Sequence, residues 1–251
     1  MANSNTAGFG LISAGTIGST PATQGQGKYY IDAAYDQDLF QGCSVKSKAG
    51  YIVEASSTRT FLSIGVFNGI FYNASTTLKP TWSNWYNQPI TPANSEDITC
   101  FVIDNPFQLF VGSMSAAAAQ ADYGKTLSFT AAVPTGSETS GQCTNTLDDG
   151  NIHATNNQWR LIRLAEDPEN SDMTAAYTSV VVAHNLNQYL QNTGSAGSTT
   201  TGKSSATLDI DDTSADAASF RLLRSAEDPE NDENAAFRSV VVVPNLIELQ
   251  S

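Results

Sequence analysis

The sequence predicts an all-β (mainly β) protein: a barrel-like or sandwich body, an extended N-terminal arm and a duplicated C-terminal strand-loop-strand unit. Three observations predict it. Short runs of β-branched and aromatic residues recur between Gly, Asp, Asn and Ser, the pattern of strands separated by turns. Only 15% of the 251 residues are charged, against about a quarter in ordinary soluble domains, and Ser, Thr, Asn, Ala and Gly fill the difference. Finally, one C-terminal block returns nearly intact later in the chain.

Residues 1–27 are rich in Gly, Ser, Thr, Ala and Asn, and their main apolar side chains are Phe9, Leu11, Ile12 and Ile17. Alone, such a segment cannot bury enough surface to offset its chain entropy. It is therefore expected to be an arm that docks on a partner, with those four residues as its contacts. It lacks the basic start and apolar run of a secretory signal.

From Lys28 the pattern changes. Strands are expected at Tyr29-Tyr30-Ile31, Cys43-Ser44-Val45 and Tyr51-Ile52-Val53, then over residues 61–67 and at Ile70-Phe71-Tyr72. Asn68-Gly69 between the last two predicts a type I′ hairpin turn, whose central residues need positive φ. Residues 81–94, with Trp82, Trp85, Tyr86, Pro89 and Pro92, read as a long aromatic loop. Residues 98–104 and 107–111 read as strands around an Asn105-Pro106 turn. Residues 116–122 suit a two-turn helix, residues 126–133 another strand, and residues 134–141 a linker of turn-forming residues. The body is expected to span residues 28–192, and a linker with the second repeat copy residues 193–251.

The duplication is the most informative feature. The run from Trp159 to Asn170, WRLIRLAEDPEN, returns from Phe220 to Asn231 as FRLLRSAEDPEN. Ala175-Ala176-Tyr177-Thr178-Ser179-Val180-Val181-Val182 returns as Ala235-Ala236-Phe237-Arg238-Ser239-Val240-Val241-Val242. Each copy reads as two strands joined by an acidic loop, the second strand being a buried Val run. In the first strand, alternation places Trp159, Leu161 and Arg163 on one face and Arg160, Ile162 and Leu164 on the other. The arginines, Arg160 with Arg163 and Arg221 with Arg224, are expected to pair with nearby carboxylates. Residues 191–205 between the copies are a Gly/Ser/Thr linker.

Composition excludes several functions. Net charge is −13, and no basic stripe offers a footprint for nucleic acid. No stretch approaches the ~18 apolar residues of a membrane span. Cys43, Cys100 and Cys143 are odd in number and far apart, so reduced, half-buried thiols are expected rather than a disulfide framework. His153 and His184 have no partners at zinc or triad spacing, and no nucleophile elbow or phosphate loop occurs. No cofactor, metal or catalytic residue is therefore predicted, and the chain reads as no enzyme. The loop at residues 227–234, with Asp209, Asp211 and Asp212 upstream, is dense in oxygen ligands, but it lacks calcium-loop spacing and reads as a solvated turn. Trp82, Trp85 and Tyr86 would form a sugar-stacking platform if their rings were exposed together.

Several segments resemble one family. Met1-Ala2-Asn3-Ser4-Asn5 running into Gly8-Phe9-Gly10 is similar to the start of tailed-phage capsid decoration (cement) proteins. Tyr29-Tyr30-Ile31 and Leu39-Phe40-Gln41-Gly42-Cys43-Ser44-Val45 resemble them too. So do Gly65-Val66-Phe67-Asn68-Gly69, Trp82-Ser83-Asn84-Trp85-Tyr86, Phe101-Val102-Ile103-Asp104-Asn105-Pro106-Phe107, and Thr139-Ser140-Gly141 with Leu147-Asp148. Arg160-Leu161-Ile162-Arg163-Leu164 and Asp167-Pro168-Glu169-Asn170 complete the pattern. The resemblance covers residues 1–190. It implies a virion protein made in the bacterial host cytoplasm, which binds the outer surface of the phage head and bridges major capsid protein subunits. The acidic charge suits that outer face. A homotrimer, with a dimer next, is the simplest way to hold several subunits at once. The alternative is a receptor- or carbohydrate-binding tail or fibre module. The second copy departs from the family, whose members end after one.

Overall fold

Alternating burial along most runs dictates strands with one face inward. The computed structural model describes residues 3–18, 25–55, 62–93, 96–131, 135–152, 157–189, 220–225 and 240–244, the last two as backbone. The chain is mainly β, as predicted, and neither large sheet closes on itself. It divides into two units, Met1–Tyr189 and Leu190–Ser251.

In the first unit, one antiparallel sheet runs in the order β1-β8-β11-β10-β9. Its strands are β1 (Ile12–Thr16), β8 (Gln108–Ser113), β9 (Thr126–Leu127), β10 (Trp159–Leu164) and β11 (Ser179–His184). The other runs β2-β7-β5-β3-β4, with β6 also paired to β5. Its strands are β2 (Gly27–Ile31), β3 (Ser44–Lys48), β4 (Tyr51–Glu54), β5 (Gly65–Asn73), β6 (Pro80–Ser83) and β7 (Ile98–Ile103). Asn105-Pro106 carries the chain from β7 in one sheet to β8 in the other, rather than closing a hairpin. One core lies where the sheets meet: Leu11, Phe110, Leu127, Leu147, Trp159, Leu161 and Val182 pack with Val66 and Ile103. A second core lies under the six-stranded sheet around Ile31, Phe67, Ile70, Ile98 and Cys100, roofed by Leu39 and Tyr86.

Several expectations are corrected. Residues 3–18 are not a separate arm, because β1 pairs with β8 and Leu11 is only 3% exposed; residues 19–24 lie outside the described residues. Asn68-Gly69 is not a hairpin turn. β5 runs through it and pairs with β7 on both sides, and the register slips by one between Phe67 and Gly69. Gly69, at φ +148°, supplies the freedom this bulge needs. Residues 116–122 hold only a 3-10 turn at Gln120–Asp122, too short to repay helix nucleation. The aromatic loop begins as strand β6, and of the strand expected at 126–133 the described residues, 126–131, hold β9 and an isolated bridge at Phe129.

In the second unit, β12 (Phe220–Ser225) pairs antiparallel with β13 (Val240–Pro244). The register repeats that of the first copy. Trp159 faces His184 as Phe220 faces Pro244, Leu161 faces Val182 as Leu222 faces Val242, and Arg163 faces Val181 as Arg224 faces Val241. Both hairpins slip at the same place, between Leu161 and Arg163 and between Leu222 and Arg224. That bulge corrects the alternation predicted for the first copy: beyond it Arg163 turns outward and Leu164 packs on the core. The linker at 191–205, the loop at 227–234, Asp209, Asp211, Asp212, His153 and the side chains of Arg221 and Arg224 lie outside the described residues.

Candidate functional site

Two exposed surfaces stand out on the first unit. The first lies at one edge of the five-stranded sheet, where β1 ends the strand order among the described residues. Ile12 is 49% exposed and Ile17 51%. The Ile17 amide donates to the Phe107 carbonyl at 2.9 Å, and Phe107, itself half exposed, adds a ring beside it. Of the four contacts expected from the sequence, Ile12 and Ile17 therefore face outward. Leu11 is spent on the core, and Phe9 is half-buried. Phe9, Leu11 and Ile12 also line a cleft of about 290 Å³, shared with Val66, Asn68 and Ile103.

The N-terminal segment is held there by polar contacts with the first copy's acidic loop. Asn3 Nδ2 donates to the Ala176 carbonyl at 2.8 Å, and Asn3 Oδ1 accepts from the Asp172 amide at 3.0 Å. The Asn5 amide donates to Asn170 Oδ1 at 2.7 Å, and Asn170 Nδ2 donates to Asp167 at 2.8 Å. The Asn170 side chain and the Glu169 amide hold the Asp167 carboxyl below its usual range. In this copy the acidic loop thus works as a turn that grips the chain's own start. Arg163 approaches Glu166 at 3.6 Å, while Arg160 donates instead to the Gly124 carbonyl and to Asn185 Oδ1.

The second surface is aromatic. Cross-strand pairing aligns Tyr30 with Thr99, Thr99 with Phe71, and Phe71 with Trp82, so one row crosses β2, β7, β5 and β6. Tyr30 is 44% exposed, Phe71 43% and Trp82 52%. The Trp82 ring lies 5.3 Å from that of Phe101 and covers Gly69, where an added Cβ would come within 2.8 Å of it. Lys28 Nζ sits 5.4 Å above the Tyr30 ring. This is the face that meets the other sheet at Val66 and Ile103 and runs out uncovered beyond them. Trp82, Trp85 and Tyr86 do not form the joint exposed platform that sugar stacking would need. Tyr86 is fully buried and donates to the Tyr35 carbonyl at 2.8 Å, and Trp85 stacks on Phe40 at 5.4 Å.

Two polar clusters have the residue types of chemical sites. Ser63 Oγ lies 3.2 Å from His184 Nδ1, but Ser63 is fully buried. His184 keeps part of its surface, yet its Nε2 is sealed without a hydrogen-bond partner, against Trp159 at 4.4 Å. That burial pushes the imidazole down to about 3, which makes a poor base. Tyr29 donates to Asp104 at 2.6 Å and meets the Tyr189 hydroxyl. Burial first, then Asp104, pushes its phenol well up, so it keeps its one proton for Asp104, and its oxygen accepts from the Tyr189 hydroxyl, which ties residue 189 to β2. Among the described residues no three His, Cys, Asp or Glu side chains gather as a metal-holding group. Compared with models of protein families, curated proteins and solved structures, the chain matches none.

Proposed function

We propose that this chain is a capsid decoration protein that binds the outer surface of a phage head and bridges major capsid protein subunits. The observation that carries the reading is the β1 edge, where Ile12, Ile17 and Phe107 present apolar surface beside the strand that ends the sheet order among the described residues. Weak contacts of this kind add up on a repetitive shell, and they require no catalytic group. The net charge of −13 suits a surface turned away from the genome. The test is sedimentation of purified chain with heads lacking it, followed by electron microscopy of the particles. Ile12→Asp and Ile17→Asp should empty the binding positions, while the solution mass should be that of a trimer, with a dimer next. Full occupancy by both variants would overturn the reading.

The aromatic row favours a second reading, a carbohydrate-binding module, because exposed rings on neighbouring strands suit the apolar faces of sugars. Saturable binding of a glycan that Trp82→Ala abolishes, with no binding to heads, would replace the first reading by this one.

A further inference from the structure

We propose that Cys43 and Cys143 are a latent cross-link that closes as a disulfide when the protein meets an oxidant, leaving Cys100 a thiol. The two Sγ atoms lie 2.7 Å apart, and both residues are buried, at 1% and 0% exposure. The backbone fixes them on both sides. The Cys143 amide donates to the Gln41 carbonyl at 2.9 Å, the Gln41 amide to Gly141 at 2.9 Å, and the Phe67 amide to the Cys43 carbonyl at 2.9 Å. Gly10 closes one wall, since a Cβ there would fall 2.7 Å from Cys143 Cβ. Phe40 and Trp85 complete the enclosure. Cys100 belongs to the other core, among Ile70, Ile98 and Val102.

The chemistry needs a disulfide oxidant, and glutathione disulfide serves. One thiol of the pair loses its proton and attacks a glutathione sulfur, which expels glutathione thiolate and leaves a mixed disulfide. The second thiol loses its proton and attacks the protein sulfur, expelling the other glutathione. Two protons and two electrons leave the protein, one S–S bond forms, and two glutathione thiols result. Burial first, then the neighbouring thiol, holds the Cys43 thiol well above its ordinary value. Thiolate is therefore scarce, and closure proceeds through local opening. The bond would tie the entry of β3 to the segment leading to Leu147, across a sequence separation of 100 residues. Cross-links over long loops constrain the unfolded chain most.

The test equilibrates the full chain in glutathione buffers of graded ratio, then alkylates it in denaturant for intact mass and peptide mapping. Three thiols should alkylate at the reducing end, and at the oxidising end only Cys100 should. The peptides of Cys43 and Cys143 should be joined within one chain, and the melting midpoint should rise and then fall back on reduction. Cys100→Ser should keep the cross-link, and Cys43→Ser and Cys143→Ser should each lose it. Three reactive thiols across the whole range, or cross-links through Cys100 at comparable yield, would overturn the proposal.

Discussion

Leu11 and Ile12 are neighbours on one short segment, and the fold gives them opposite duties. Leu11 is 3% exposed and sits in the core with Phe110 and Leu147. Ile12 is 49% exposed on the β1 edge of the sheet. Leu11 Cδ2 packs close over Gly112, where an added Cβ would lie only 3.0 Å from it, and the Leu11 amide donates to the Gly42 carbonyl at 2.9 Å. A cavity left there collapses little, so Leu11→Ala should cost about 3 kcal/mol, within the range for buried leucines. For a unit of this size that lowers the melting midpoint by roughly 6–12 °C. Ile12→Ala removes half-solvated surface and should cost no more than about 1 kcal/mol. The assay is thermal unfolding of both variants, followed by head binding, in which Ile12→Ala should be the weaker binder of the two. Midpoints within about 2 °C of each other would refute the packing of this segment on its own chain.

Other outcomes follow from the same geometry. Asn170→Ala removes the acceptor of Asn5 and the donor to Asp167 and should cost roughly 2–3 kcal/mol by denaturant titration; an unchanged midpoint would sink the clamp. His184 titrates near 3 when folded, against 6.5 in an unperturbed chain. Below pH 6.5 the unfolded state alone takes up its proton, so stability should fall from there toward pH 3, by up to about 1.4 kcal/mol per pH unit. His184→Gln should flatten that slope in urea titrations across pH. Trp82→Ala should leave the melting midpoint nearly unchanged, because the ring is half exposed, and reduce binding to whichever partner uses the aromatic row. Truncation after Tyr189 should leave the first unit's unfolding curve intact; loss of cooperative unfolding would show that the unit ends later.

The sequence made legible what short-range pattern decides. β2, β4, β7, β8 and the duplicated hairpin stand close to where alternation and turn residues put them. The arm expected at 1–27 misled because its composition is that of a tail, whereas the place of its strand β1 depends on β8, nearly a hundred residues away. A signal was present in its glycines: a Cβ at Gly8 would fall 2.3 Å from the Thr144 carbonyl, the close backbone approach that a bare position permits. Asn68-Gly69 supplies positive φ equally well to a turn or a bulge. The choice belongs to β7, which pairs with both flanks. The aromatic row needs the register of four strands, and the Cys43–Cys143 contact needs a loop from each sheet's neighbourhood. Neither can be read from spacing.

The two hairpins separate what a short sequence specifies from what the surrounding fold adds. Both copies keep the same partners opposite one another and slip at the same position, although Phe220 replaces Trp159, Ser225 replaces Leu164 and Pro244 replaces His184. Register and bulge therefore reside in what the copies share: the arginine pair, the central leucine and the valine run. Place in a sheet does not. The first hairpin lies between β8 and β9, and Trp159 meets Phe110 edge-on at 5.5 Å. Among the described residues the second hairpin is a two-stranded sheet, a form that is marginal in water on its own. Of the residues through which the first copy fits its own core it changes Trp159, and it changes the adjoining His184, but it keeps Leu161, Val180 and Val182 as Leu222, Val240 and Val242. A hairpin that keeps its strand pairing and most of its apolar positions, yet is marginal on its own, needs a surface to cover those positions.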